Sequence, residues 1–270
     1  MPSASVARFR ELHASGCFVL PNPWDAGSAR ALVSCGFLAV ATTSSGMAWS
    51  RGRADNQAPL EEVLAHLRDV AAAVDVPVNA DFEGGFAVKA EDVAANVARA
   101  LDTGIAGISI EDSTGHPEAP LFDAALALDR IRAARAAIDT SGTGVLLTAR
   151  TEGFICGRPD LDETVRRLAA FAEAGADCLY APGIRTREEI ETIVQAVAPK
   201  PVNVLAIDPT MTVAGLAALG VRRISVGGAL ARTAWTGFLA AARAIAADGS
   251  FAPLGLAVTG AEMNRLFSGR

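Results

Sequence analysis

The chain has 270 residues, 51% hydrophobic and 20% charged, a balance that supports a sizeable packed core and excludes a disordered chain. A formal net charge of −6 and a pI near 5.2 give no overall attraction for a nucleic acid or an anionic membrane, so neither is expected as a partner. A small anionic substrate fits that charge only where a local Arg or a metal ion reverses the field.

The opening residues, MPSASVARFRELHASG, carry no apolar leader segment. No later stretch nears the roughly 20 apolar residues that span a bilayer, and a cytoplasmic location is expected. From about residue 18, β-rich runs alternate with Ala-rich segments of helical period. FVLP (18–21) predicts a strand followed by a helix over 25–35, FLAVAT (37–42) precedes a helix over 60–74, and PVNAD (77–81) one over 90–103. GISIED (107–112) leads to 123–139, VLLTAR (145–150) to 160–174, and CLYAP (178–182) to 186–197. PVNVLA (201–206) leads to 212–219 and RISVGG (223–228) to 229–246, with stops such as Gly36, Gly104, Gly175 and Gly220 behind the helices.

Eight βα units without a linker predict an α/β fold, a (β/α)8 TIM barrel forming a single domain over 1–270. A doubly wound open sheet is the rival, but it places a phosphate-binding glycine loop after its first strand, where this chain reads PNPWD. Beyond residue 246, GSFAPLGLAVTGAEMNRLF predicts a C-terminal helical extension (247–270) with Leu256, Met263, Leu266 and Phe267 as apolar contacts. Cys17, Cys35, Cys156 and Cys178 are spaced for neither a metal site nor a disulfide scaffold and are expected to be reduced and mostly buried.

In such a barrel the active site is built at the C-terminal ends of the strands. Those ends supply Thr42, Thr43, Ser44, Ser45 and Gly46, then Asp81 and Glu83, Glu111 and Asp112, and Arg150 and Glu152, with Asn203 inside the seventh strand. Carboxylates converging on one mouth raise each other's pKa unless a cation neutralises them. An all-oxygen donor set selects Mg2+, with Mn2+ as the alternative, and Asp81 is the expected direct ligand. Taken alone, Asp81 and Glu83 also read as a solvated turn, and Asp112 as a cap. Arg150 ends an apolar strand and needs an anionic partner, either a substrate carboxylate or Glu111. The TTSSG segment offers hydroxyls and amides for a carboxylate or an enolate oxygen.

The motifs PNPWDAGSARAL (21–32), TTSSGMA (42–48), NADFEGGF (79–86), ISIEDS (108–113), LTARTEGF (147–154) and DLDETVRRLAAFAEAGAD (160–177) together resemble the isocitrate lyase and phosphoenolpyruvate mutase superfamily, which includes methylisocitrate lyases and oxaloacetate hydrolases. The resemblance implies Asp81 as the principal Mg2+ carboxylate, with Glu83, Glu111 and Asp55 reaching the metal through water. It implies Thr43, Ser45, Gly46, Met47, Arg150, Asn203 and Trp24 as substrate contacts, and Arg150, Glu111 and His116 as catalytic candidates. Asp25, beside Trp24, also reads as a plain N-cap. The family implies a homo-oligomer, a dimer or tetramer that exchanges terminal helices.

Two departures bear on activity. The lyases carry a KKCGH-type loop after the fourth strand, where this chain reads EDSTGHPEAPLFD, so the cysteine is missing and His116 is the remaining proton carrier in that loop. YAPG and NVLA replace polar residues that many lyases place around a distal carboxylate, leaving Tyr180 and Asn203 as replacement donors. The expected activity is Mg2+-dependent carbon–carbon cleavage or decarboxylation of a 2-oxo or 2-hydroxy di- or tricarboxylic acid through an enolate, with substrates of the pyruvate, oxaloacetate or 2-oxoglutarate class. Phosphoenolpyruvate/phosphonopyruvate mutase or hydrolase chemistry and noncatalytic 2-oxo acid binding are the alternatives. A phosphate site at SVGGAL (225–230) is a further one.

Overall fold

The computed structural model describes residues 2–268. Strands β1 (Phe18–Leu20), β2 (Val40–Ala41), β3 (Val78–Asp81), β4 (Gly107–Glu111), β5 (Leu146–Arg150), β6 (Cys178–Tyr180), β7 (Val202–Leu205) and β8 (Arg223–Ser225) form one sheet. Neighbours pair in parallel in the order β1-β8-β7-β6-β5-β4-β3-β2. The remaining seam, between β1 and the very short β2, is bridged by the Ala41 amide donating to the Pro21 carbonyl at 3.0 Å and by Asn22 Nδ2 donating to the Thr42 carbonyl at 3.1 Å. The architecture is the (β/α)8 barrel that the sequence predicts.

The expected crossover helices are α2 (Ala26–Ser34), α4 (Leu60–Ala73), α5 (Ala90–Leu101), α6 (Ala124–Ser141), α7 (Leu161–Glu173), α8 (Arg187–Ala196), α9 (Val213–Ala218) and α10 (Ala229–Asp248). Five of the eight starts are chemically marked. Asp25 and Thr186 close reciprocal capping boxes with Ser28 and Glu189, and Asp123, Asp160 and Thr212 each accept an orphan first-turn amide. Each such cap contributes about 1 kcal/mol. In β4 and β5 the side chains alternate, so buried Ile108, Ile110, Leu147 and Ala149 share one face while Ser109 and Thr148 share the other.

Two helices were not expected. α1 (Ala4–Ala14) buries Val6, Phe9 and His13 and closes the N-terminal end of the barrel. Phe9 packs against Gly107, where a Cβ would come within 2.5 Å of its ring, and His13 Nε2 lies 3.4 Å from Nη1 of buried Arg223. The short helix α3 (Ser44–Ser50) occupies the segment after β2, started by Thr43 as its N-cap.

After α10 come a 3-10 turn (Ala252–Leu256) and α11 (Gly260–Ser268), the helix expected in the extension, whose residues 269 and 270 lie outside the described residues. Met263, Leu266 and Phe267 line a groove against α2 and α10, but Leu256 is 93% exposed and makes no core contact, because it lies on the 3-10 turn rather than on the helix. The cysteines are free, yet only Cys178 is buried; Cys17 and Cys156 are half-buried and Cys35 is exposed as the C-cap of α2. No helix among the described residues is long and apolar enough to cross a membrane.

Candidate active site

Parallel register assembles the site. Glu111 pairs with Arg150, Arg150 with Tyr180 and Tyr180 with Asn203, while Asp81 pairs with Ser109 on the adjoining strands. Side chains two apart on a strand share a face, so Asn79 and Asp81, Ser109 and Glu111, and Thr148 and Arg150 climb the barrel in steps. The charged member of each pair stands at the C-terminal mouth.

Arg150 is the hub. Its Nη1 lies 3.3 Å from Glu111 Oε2 and 3.6 Å from Asp81 Oδ1, its Nε and Nη2 grip both oxygens of Glu152, and its guanidinium lies over the Tyr180 ring at 5.2 Å. Burial pushes the Glu111 carboxyl well above the carboxylate range against the pull of Arg150. Burial, opposed by Arg150, also raises Glu152, and burial carries Tyr180 up to about 12. The neighbouring Asp112 is fully committed: it accepts from Thr151 Oγ1 at 2.7 Å, from the Glu152 amide at 2.9 Å and from Arg167 at 3.2 Å, which ties β4 to the loop after β5. That is a brace between strands, neither a cap nor a free ligand.

Asp81 Oδ2 accepts both the amide and the hydroxyl of Ser44, at 2.9 and 3.0 Å, so the first turn of α3 points at this carboxylate. Thr42 Oγ1 meanwhile accepts the Asp81 amide. Asp55 is exposed as a residue, but its carboxyl lies close enough to the cluster that desolvation, then the charge of Asp81, raises its pKa. Glu83 is pushed to about 8 by burial and by Asp81 and Asp55.

Glu83 opens a tight turn in which Glu83 and Phe86 both take positive φ, 46° and 55°, a conformation that strains a non-glycine residue. Arg130, from α6, holds this turn. Its Nη1 donates to the carbonyls of Ala87 and Val88, its Nη2 to that of Gly84, and the Phe122 ring covers the guanidinium at 4.0 Å. Beside the turn a cavity of about 440 Å3 opens, bounded by Glu83, Glu111, Phe86, Phe122 and the loop that carries His116. That loop is compact: the Thr114 hydroxyl donates to the Ala119 carbonyl at 2.6 Å and accepts the His116 amide at 3.0 Å. His116 is exposed at the rim.

The structure therefore brings together Asp55, Asp81, Glu83, Glu111 and Arg150, with His116 at the edge and Asn203 deeper, donating to Ser225 at 2.9 Å and accepting from Arg223. Thr43 and Ser45 share a hydroxyl contact of 3.1 Å at the start of α3. Gly46 is buried where a Cβ would lie 2.7 Å from Thr43 and 2.9 Å from Trp24. The Met47 amide is spent on the Thr43 carbonyl at 3.0 Å and its side chain is buried in the core. Trp24 lines neither the cavity nor the barrel interior; it walls an apolar groove with Ala234, Trp235 and Phe238. At the eighth strand, Asn22 Oδ1 accepts the amides of Val226 and Gly227, both at 2.9 Å, and these are the donors a phosphate would need. The contacts of Glu152, Ser44, Arg130 and Asn22 were not singled out by the sequence motifs.

The donor chemistry fits a hard divalent cation. Asp81, Asp55, Glu83 and Glu111 offer oxygen alone, and burial, with the neighbouring carboxylates adding to it and Arg150 opposing it, raises Glu83 and Glu111. Among the described residues no three such side chains stand close enough to hold an ion as they are placed, and Arg150 occupies the centre of the cluster. An ion held directly by one carboxylate and otherwise through water does not need three such groups at contact distance.

Residues 9–246 match the phosphoenolpyruvate phosphomutase family. The chain belongs to that family. It is 35% identical over 221 residues to an uncharacterized protein of Mycobacterium tuberculosis, covering 81% of each chain. A Burkholderia cenocepacia J2315 structure, described provisionally as a lyase/mutase, superposes with a TM-score of 0.95 at 44% identity over 98% of this chain and 96% of that one. A phosphonopyruvate hydrolase in complex with oxalate and Mg2+ superposes with a TM-score of 0.87 at 25% identity over 99% and 95%. Phosphoenolpyruvate phosphomutase, 2-methylisocitrate lyase and oxaloacetate decarboxylase are further relatives, so family members are lyases, mutases and hydrolases acting on small carboxylates.

Proposed function

We propose that this chain is a Mg2+-dependent enzyme that cleaves a carbon–carbon bond, by lyase or decarboxylase chemistry, in a small 2-oxo or 2-hydroxy carboxylic acid through an enolate. The observation that carries this reading is the Arg150 guanidinium set among Asp81, Glu111 and Glu152 at the barrel mouth. Asp81 would hold the ion, with Glu83, Glu111 and Asp55 around it; when bound, the ion supplies a Lewis acid for the substrate's oxygens. The hydrolase relative that carries oxalate, an enolate-shaped dianion, together with Mg2+ supports the same use of this site.

Arg150 stabilises negative charge on the developing enolate oxygen, and Glu152 fixes the plane of its guanidinium. Ser44 orients Asp81, and Ser45 at the start of α3 lies ready for the substrate carboxylate. His116, in the loop over the cavity, carries the proton. Turnover of oxaloacetate, malate-type and methylisocitrate-type acids, assayed with and without Mg2+, tests the reading, and metal-independent inertness towards the whole panel contradicts it.

Phosphoryl migration is the second reading, favoured by the family that the chain matches. Phosphorus NMR separates the two, because making or losing a C–P bond moves the resonance. Assembly as a dimer or tetramer is supported by α10, which leaves Phe238 60% and Leu239 38% exposed along an otherwise Ala-rich face. Sedimentation velocity reads that state directly.

A further inference from the structure

The turn after β3 is fixed from three sides. The Glu111 amide of β4 donates to the Glu83 carbonyl at 3.0 Å, Arg130 of α6 donates to the Gly84 carbonyl, and Asn96 of α5 donates to the Gly85 carbonyl at 3.0 Å. Arg130 reaches on to the carbonyls of Ala87 and Val88, the latter at 2.8 Å. The backbone held in this way is strained: Glu83 and Phe86 take φ of 46° and 55°, beside Gly85 at 72°. Glycine would relieve the strain at position 83, yet the chain keeps a carboxylate there, and that carboxylate lines the cavity beside Glu111.

Arg130 is a costly clamp. The residue is 1% exposed, Phe122 covers its guanidinium, and its Nε is buried without an acceptor. The nearby carboxylates Glu111 and Asp112 pair with Arg150 and Arg167 instead. A cation buried against neutral carbonyls gives up its hydration with no opposite charge in contact. A neutral side chain such as Asn96 serves the middle of the turn, whereas the fork of Arg130 joins its two flanks, Gly84 on one side and Ala87 and Val88 on the other. What this secures is the direction in which Glu83 leaves the backbone.

We propose that Arg130 is a positioning residue for cation binding: by holding the carbonyls of Gly84, Ala87 and Val88 it fixes the strained turn from which the Glu83 carboxylate faces the ion. Arg130 touches neither ion nor substrate and acts through Glu83. The inference rests on the reading of the acidic cluster around Asp81 as a divalent-cation site. Groups that orient a metal's carboxylates change its affinity by roughly 10- to 100-fold when they are lost.

Titration of Mn2+ into the full chain, with free Mn2+ counted by electron paramagnetic resonance, tests this in a double-mutant cycle of Arg130→Lys and Glu83→Gln. Lysine keeps the charge but presents a single nitrogen, which cannot join both flanks of the turn. Arg130→Lys is expected to weaken Mn2+ binding about tenfold when Glu83 is present and by less than about twofold in the Glu83→Gln background. Unchanged affinity in Arg130→Lys overturns the inference, and so does an equal loss in both backgrounds, which is what a general loosening of the barrel gives. Gly84→Ala perturbs the same contact from the other side, since a Cβ there lies 3.1 Å from Arg130 Nη2, and is expected to weaken Mn2+ binding about threefold. Should Arg130→Lys not fold, unchanged affinity in Gly84→Ala overturns the inference. If the unsubstituted chain binds no Mn2+, the cation-site reading fails and takes the inference with it.

Discussion

Arg150 and Glu152, two positions apart at the end of β5, lock together as a fork: Nε and Nη2 of the guanidinium meet the two carboxylate oxygens, the latter at 3.1 Å. Glu152 is therefore the residue that sets which way Arg150 faces. Glu152→Gln keeps the shape but weakens the fork, and is expected to lower turnover by roughly 10- to 100-fold and stability by about 1–3 kcal/mol. Arg150→Lys keeps the charge but cannot span Glu152, Glu111 and Asp81 together, and is expected to cost more turnover than Glu152→Gln. Steady-state kinetics beside urea unfolding read both effects, and full activity in Glu152→Gln would remove its positioning role.

Gly46 is required by packing. A methyl group there meets Thr43 at 2.7 Å, Trp24 at 2.9 Å and Ala231 at 3.2 Å, so Gly46→Ala is expected to destabilise by about 1–3 kcal/mol and to weaken oxalate binding by displacing α3. Gly237→Ala, in α10 with open space around it, is the matched control and is expected to stabilise by about 0.5–1 kcal/mol. Thermal melts of the two variants shifting in the same direction would contradict this account.

His116 is exposed, so His116→Asn is expected to leave folding unchanged. As proton carrier it should be worth roughly 10²–10⁴-fold in kcat with little change in KM. An unaltered kcat assigns the proton transfer to another group.

His13 gives a pH signature unrelated to the active site. Burial and the adjacent Arg223 lower its pKa from 6.5 to about 3, so the folded state holds it neutral while the unfolded chain protonates it below pH 6.5. The stabilisation is present above pH 6.5 and is lost progressively as pH falls toward 3, about 2 kcal/mol between pH 6.5 and 5. His13→Gln is expected to flatten the slope of unfolding free energy against pH across that window by up to one proton. An unchanged slope would show that His13 is not the group being titrated.

The barrel was legible because each strand is a short apolar run and most crossover helices start on a capping side chain, such as Asp25, Asp160 or Thr186. α1 was not, since it buries only Val6, Phe9 and His13 among charged neighbours, and its partner Arg223 lies 210 residues away. Nor was α3, because Ser-Ser-Gly has low helix propensity; its cap by Thr43 and the link from Ser44 to Asp81 show only in three dimensions. In the site, Asp81, Glu111 and Arg150 could be read from strand ends, because period-two alternation puts them on one face. Arg130 could not, as its hold on Gly84 spans 46 positions and depends on how α6 docks. Trp24 belongs to a recognisable motif, yet the turn into α2 carries it to the outer groove.

The central claim is that Asp81 anchors a divalent ion and, with Arg150, a 2-oxo acid. Calorimetric titration of oxalate into the protein with and without Mg2+, repeated on Asp81→Ala, tests it most directly. The account predicts Mg2+-dependent oxalate binding that weakens by at least about 100-fold in Asp81→Ala, equivalent to about 2.7 kcal/mol. Oxalate affinity that ignores Mg2+ and survives the substitution would contradict it.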